Sequence, residues 1–243
     1  MREIIGIPHA TGDYIAFLDS DDYVEKNMYQ LLYEKAIEAD YDMVECDFIW
    51  EYPNKAKVDT GEIYSTKKEA LEKARVVAWN KLYKKDIIQN SKVQFPKGLR
   101  YEDVEFFYKI LPSLDKIGFV KQPLVHYIQR ENSISNTQNE RTKEIFTILD
   151  NVIAFYKENG IYDEYKEELE YTYARYLLCS SLKRITKVQD KKVRKRLLLD
   201  TWERLNKNFP NWKENTLLKK SSWKNRYMRS VNDFTFKIYV KIL

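Results

Sequence analysis

Residues 14–18, Tyr-Ile-Ala-Phe-Leu, form a short, almost wholly apolar run, and the run stops abruptly at Asp19, Asp21 and Asp22. Gly12 supplies a turn just before it. A run this short and this apolar reads as a buried strand. Residues i and i+2 of a strand share a face, so Asp19 and Asp21 project together at its carboxyl end, where open α/β sheets place their ligands. Two like charges so close raise each other's pKa unless a positive charge sits between them. A hard divalent cation with oxygen ligands is the simplest such partner, and a cation of this kind commonly binds substrate phosphates as well. A loop with a helix N-cap is the competing reading of the same residues, and Asp22 suits it best, with the helix starting near Glu25.

The chain downstream alternates helix and strand patterns. Asn27 to Ala39 carries Met28, Leu31, Leu32 and Ile37 at amphipathic-helix spacing. Tyr41 to Trp50 reads as a second core strand, and Glu51 to Ser65, with Pro53 and Gly61, as a loop or weak hairpin. Thr66 opens a helix through about Val77, with Ser65 or Thr66 as N-cap and Glu69 placed for a capping box. Trp79-Asn-Lys-Leu-Tyr83 follows. On the residues alone, Trp79 belongs to the core and Lys81 to a solvated surface. A Pro-Gly loop at Pro96 and Gly98 leads into Tyr101-Glu102-Asp103 and a helix with Val104, Phe107, Ile110 and Leu111 on its apolar face. Capping and dipole chemistry accounts for Glu102 and Asp103 if they stand alone. Lys116 to Val120 and Pro123 to Gln129 read as two short strands, the second holding His126, which a packed strand position suits better than a metal or phosphate contact.

The segment from Ala10 to Asp22 resembles the Asp-x-Asp segment of family-2 glycosyltransferases, the inverting enzymes of the GT-A fold. Trp79-Asn-Lys-Leu-Tyr83 resembles a second signature of that family, Glu102-Asp103 its Glu-Asp motif, and Tyr127-Ile-Gln-Arg-Glu-Asn-Ser-Ile-Ser135 the segment that closes its catalytic domain. The resemblance covers Ala10 to Ser135, just over half the chain. It implies an α/β fold: a partial GT-A domain, Rossmann-like and of the nucleotide-diphospho-sugar transferase kind, over residues 1–135, followed by a helical region with a basic surface over 136–243. In the family, two or three strands that hold the nucleotide base precede the Asp-x-Asp segment; the chain lacks them, and Arg2 and Gly6 do not reproduce the usual Arg-Asn-x-Gly pattern.

The resemblance implies Mn or Mg, held with the donor diphosphate by Asp19 and Asp21, and a nucleotide-sugar donor, by family habit a UDP-sugar. Asp103 resembles the catalytic base that takes the proton of the acceptor hydroxyl, with a glycan or lipid-linked acceptor in cell-surface polysaccharide synthesis. Lys81 and Arg130 are expected at phosphate, while Trp79, Glu102 and His126 are candidate acceptor or loop contacts. One base plus one Asp-x-Asp is a chemically complete minimal set for inverting transfer.

Charge decides what else the chain meets. The net charge is +5, and basic residues crowd the stretch from Lys183 onward. That asymmetry points to an anionic partner, membrane lipid or nucleic acid. Sequence-specific nucleic-acid binding has no helix-turn-helix, zinc or aromatic signature behind it. Cys46 and Cys179 make neither a disulfide framework nor a zinc site, and no run of about 18 apolar residues appears. The expectation is a cytoplasmic protein, peripheral at the inner face of the membrane. An inactive, N-terminally truncated transferase with an exposed sheet edge is the competing expectation.

Overall fold

A computed structural model of the chain describes residues 6–130 and 138–242. The expectations on Arg2 and on Ser133-Ile-Ser135, and the expected boundary after 135, fall outside the described residues. The chain divides into two compact units, Met1–Glu131 and Asn132–Leu243.

The first unit is a six-stranded sheet with helices. Its strands are β1 (Tyr14–Ala16), β2 (Tyr23–Val24), β3 (Met43–Tyr52), β4 (Lys55–Asp59), β5 (Lys81–Lys84) and β6 (Ile117–Ile128). They lie in the order β1-β5-β3-β6-β2, with β4 folded back on β3. The helices are α1 (Met28–Glu38), α2 (Lys67–Lys73), α3 (Lys85–Ser91) and α4 (Glu102–Ile110). The sheet is mixed: β3 and β6 pair in parallel, and the other pairings are antiparallel.

The run that ends in the carboxylates is not the core strand its composition predicts. Only Tyr14–Ala16 is strand, and β1 stands at the end of the sheet, paired with β5. The chain leaves the ladder at Phe17, whose ring sits edge-on to Phe95, Phe106 and Tyr83 at 5.2, 5.8 and 6.1 Å. Leu18 is 44% exposed. The apolar character of the run therefore serves this aromatic cluster, in which Phe95 and Phe106 stack at 4.0 Å, rather than a second sheet neighbour.

Strand β3 separates two faces. Val44, Cys46 and Phe48 point to α1, which buries Met28, Leu32 and Ala36, one side chain per turn, in the same cluster. Glu45 and Asp47, on the opposite face, are also buried. The two strands expected over 116–129 are one strand, β6, with breaks in its register against β3 after Cys46 and after Asp47. Pro123, which cannot donate to the ladder, sits at that break, and the irregularity lets both Leu124 and Val125 enter the core. The loop after β3 is a hairpin, closed at Pro53-Asn54. Thr66 is the N-cap of α2: its Oγ1 accepts the Glu69 N–H at 3.1 Å, and the Glu69 carboxylate accepts the Ser65 N–H at 2.8 Å. The helix stops at Lys73, four residues short of expectation, because Ala74 is extended.

The second unit is helical: α5 (Glu144–Glu158), α6 (Tyr162–Arg175), a π-helical turn (Tyr176–Ser181) running into α7 (Leu182–Ile185), then α8 (Lys191–Asn208), α9 (Trp223–Ser230) and α10 (Asp233–Ile242). Asp190 caps α8 through the N–H groups of Lys192 and Val193. Trp212 is 1% exposed, and Tyr171 donates to buried Asn225 at 2.9 Å. No helix among the described residues is long and apolar enough to cross a membrane.

Candidate active site

Asp103 occupies the first turn of α4, behind an N-cap, Tyr101, in the left-handed region at φ 67°. A bulky residue rarely adopts that conformation, and strain of this kind gathers at functional sites. The carboxylate Oδ2 accepts the Ala78 N–H at 3.3 Å. Three residues along α4, Phe106 meets Phe17, which lies two residues before Asp19. The aromatic cluster thereby brings the end of β1 and the start of α4 together, and Asp19 and Asp103 feel each other's charge. Burial, then the charges of Glu102 and Asp19, push the Asp103 carboxyl up to about 7; the Ala78 N–H and the Lys81 ammonium oppose them.

Asp19 and Asp21 are exposed. The Asp22 amide donates to the Asp19 carbonyl at 3.1 Å, closing the turn between them. Asp22 caps no helix, since α1 begins at Met28 behind Asn27. Its Oδ1 instead accepts the Ile128 N–H at 2.9 Å, tying the carboxylate turn to the end of β6. The Arg130 guanidinium donates to the Asp21 carbonyl at 3.4 Å. Burial, with Asp19 and Asp21 adding to it, raises Asp22 to about 6. Its Oδ2 is buried with no hydrogen-bond partner.

These residues fit a hard divalent cation in part. The donors are carboxylate oxygens, and a buried acceptor lies beside two exposed carboxylates. No group of three or more metal-ligating His, Cys, Asp or Glu side chains stands together among the described residues.

Three residues expected at the site are elsewhere. Lys81 is fully buried, not solvated and not presented to a phosphate. Its ammonium donates to the carbonyls of Arg75 (2.6 Å) and Val77 (2.7 Å) and to Asn80 Oδ1 (2.8 Å), and it lies 3.1 Å from Glu45 Oε2. Glu45 and Lys81 are direct partners across β3 and β5, which explains the pairing. Burial pulls the Lys81 pKa down, and Glu45 works against that. Trp79 is 4% exposed, packed against Phe48 at 4.7 Å and Tyr127 at 5.1 Å, and offers no face to a sugar. His126 stacks on Tyr23 at 4.2 Å, with Glu25 Oε1 2.9 Å from Nε2 and Glu51 Oε1 3.5 Å from Nδ1. It is a strand histidine held between carboxylates, with the Asp19–Asp22 turn not among these partners.

Sequence reasoning missed the network beneath Asp103. Glu45 accepts the Tyr64 hydroxyl at 3.0 Å, Asn80 donates to the Cys46 carbonyl at 2.6 Å, and Arg75 bridges Cys46 and Asp59 carbonyls while facing Asp47 at 3.6 Å. Tyr83, also fully buried, carries a hydroxyl whose pKa is raised well above the usual value by burial, then by the charges of Asp103 and Glu45. The available signal was Glu45 and Asp47 inside an otherwise apolar run, because buried carboxylates require partners.

Residues 4–94 match the family described as Glycosyl transferase family 2. Among curated proteins, the chain is 28% identical over 179 residues to the putative glycosyltransferase EpsH of Bacillus subtilis, covering 68% of this chain and 52% of that protein. It is 29% identical over 155 residues to the glycosyltransferase GlyG of Streptococcus pneumoniae, covering 55% of this chain and 50% of that protein. The chain thus spans about half the length of the curated relatives it matches. Among solved structures, S. aureus TarS in complex with UDP-GlcNAc superposes with a TM-score of 0.54 at 13% identity, over 89% of this chain and 71% of that one. That likeness is one of fold.

Proposed function

We propose that the chain is a glycosyl transferase of family 2, the family that residues 4–94 match, and that it moves a sugar from a nucleotide-sugar donor to a glycan or lipid-linked acceptor with inversion, in cell-surface polysaccharide synthesis. The observation that carries the reading is a buried Asp103 carboxyl pushed up to about 7, with the charge of Asp19 among the causes. A carboxyl shifted upward in this way is a stronger base than a surface aspartate.

In a single displacement, the acceptor hydroxyl attacks the anomeric carbon from the face opposite the leaving nucleoside diphosphate, so the configuration inverts. Asp103 takes the hydroxyl proton as the bond forms. Asp19 and Asp21 would hold Mn or Mg together with the donor diphosphate, and the bound ion supplies neutralisation of the charge that builds on the leaving group. Arg130, which donates to the Asp21 carbonyl, would bond the same diphosphate. Glu102 stands next to the base, sets its charge environment and is the remaining candidate for acceptor contact. Lys81, Trp79 and His126 have no part in this scheme. An anionic membrane surface is the partner proposed for the second unit.

UDP is the first nucleotide to test, because the solved neighbour of the same fold is a UDP-GlcNAc complex. Calorimetric titration of the chain with UDP is expected to show binding that depends on Mn and weakens at least about tenfold in Asp21→Ala. A folded chain that binds no UDP with Mn present would sink the donor assignment.

A further inference from the structure

In the second unit, α10 docks on α8 through one side. Phe236 is 2% exposed and stacks on Trp202 at 4.7 Å, and the Trp202 indole donates to Asp233 at 2.7 Å. The other side of α10 is a second apolar stripe. Phe234, Ile238 and Ile242 recur every four residues and are 72%, 36% and 75% exposed. Lys237 and Lys241 run beside them on the adjoining row, both exposed. Between α10 and α8 lies a groove of about 880 Å³, whose α8 wall carries Lys191, Arg194 and Lys195 ahead of Leu199, itself 49% exposed.

A helix stabilised by water alone does not carry a stripe of this kind, because each exposed large apolar side chain forfeits the gain of burial. A protein core would not suit it either, since Lys237 and Lys241 interleave with the stripe and would have to be desolvated. The interface of a bilayer accepts both: apolar side chains enter the acyl boundary while lysine stems lie along it and keep their ammonium groups among the headgroups. Five basic groups line this groove against one carboxylate, Asp233, which already accepts the Trp202 indole N–H.

We propose that the exposed face of α10 (Asp233–Ile242), with the basic wall of α8 (Lys191–Asn208), is a docking surface for an anionic phospholipid bilayer. This deepens the membrane-surface partner named above and does not depend on the donor site: its failure leaves the UDP titration untouched, and the reverse holds.

The test is co-sedimentation of the full chain with phosphatidylglycerol–phosphatidylcholine vesicles and with pure phosphatidylcholine vesicles. Binding to the anionic vesicles, falling steeply with salt, is the expected result. Each basic group near the surface is worth about a fivefold gain in partitioning, so the double charge reversal Lys237→Glu/Lys241→Glu is expected to lose at least about 20-fold. Phe234→Ser/Ile242→Ser is expected to weaken binding with its charge dependence kept. All four residues are exposed or face the groove, and circular dichroism checks that the variants stay folded. Equal binding to both vesicle types, no binding to either, or full binding by the charge-reversed variant would overturn the proposal. A dimer broken by Phe234→Ser/Ile242→Ser in a chain that ignores vesicles would overturn it too, and would assign the face to a second copy.

Discussion

Asp103→Asn is expected to lower sugar transfer by about 10³-fold or more while leaving UDP binding close to that of the parent chain. The same substitution should make the protein harder to unfold above neutral pH. The folded-state pKa of Asp103 is raised to about 7, well above that of an aspartate in an unfolded chain. The folded state therefore binds the proton more tightly, and the stability tied to this group is complete in acid and is lost as pH rises through about 7. Asparagine cannot ionise, so it escapes that loss. At pH 8 the unfolding free energy from urea titration should rise, by an amount on the order of 4 kcal/mol for a rise from the ordinary aspartate value to about 7, and at pH 4 it should not move. The parent enzyme should show the matching limb in kcat/KM, with transfer rising as pH climbs through about 7. Near-normal turnover of Asp103→Asn would remove the base assignment; lost turnover with no gain in stability at pH 8 would remove the buried-charge account.

Lys81→Met is expected to destabilise the first unit by about 3–5 kcal/mol, more than any surface substitution in the chain. The substitution takes the 3.1 Å ammonium from the Glu45 carboxylate, 0% exposed, leaving it the Tyr64 hydroxyl and Arg75 at 3.6 Å, and removes the donor to two carbonyls and to Asn80 Oδ1. The double substitution Lys81→Met/Glu45→Gln should recover a large part of that loss, because neutralising both partners leaves no unpaired buried charge. Urea unfolding of the single and double variants decides it. If Lys81 met phosphate instead, Lys81→Met would spare stability and weaken UDP binding. The Lys81 ammonium also holds Asp103 down, so the acid limb of any residual activity should move to higher pH.

These two residues mark what the sequence could and could not disclose. Asp103 was singled out by its resemblance to the Glu-Asp motif, since the residues alone, acidic in the first turn of an amphipathic helix, read equally as capping and dipole chemistry. The burial of Lys81 was not legible, because alternation along Lys81–Lys84 says which residues share a face but not whether that face meets solvent or Glu45. The partner lay 36 positions earlier, and only strand order places β3 against β5. Strand order also undid the reading of residues 14–18: an apolar run looks the same whether its second neighbour is another strand or a cluster of Phe95 and Phe106 rings. Pro123 split 116–129 into two expected strands, because a proline punctuates a sequence even where a register break absorbs it. The helical character of the second unit was read, since amphipathic spacing is local and needs no partner to be seen.

The π-helical turn at Tyr176–Ser181 bears on how this unit tolerates changes in its length. A π turn spends one residue more than an α turn over the same rise. Leu169 and Tyr173 before it and Leu182 and Ile185 after it are all buried. An α-helix shorter by one residue would keep the two groups in the same phase, so the turn is the form a single inserted residue takes when neither flank gives up its face. Insertions usually collect in loops; a helix with a π turn can take up one extra residue as local unwinding while the buried faces on both sides stay in phase.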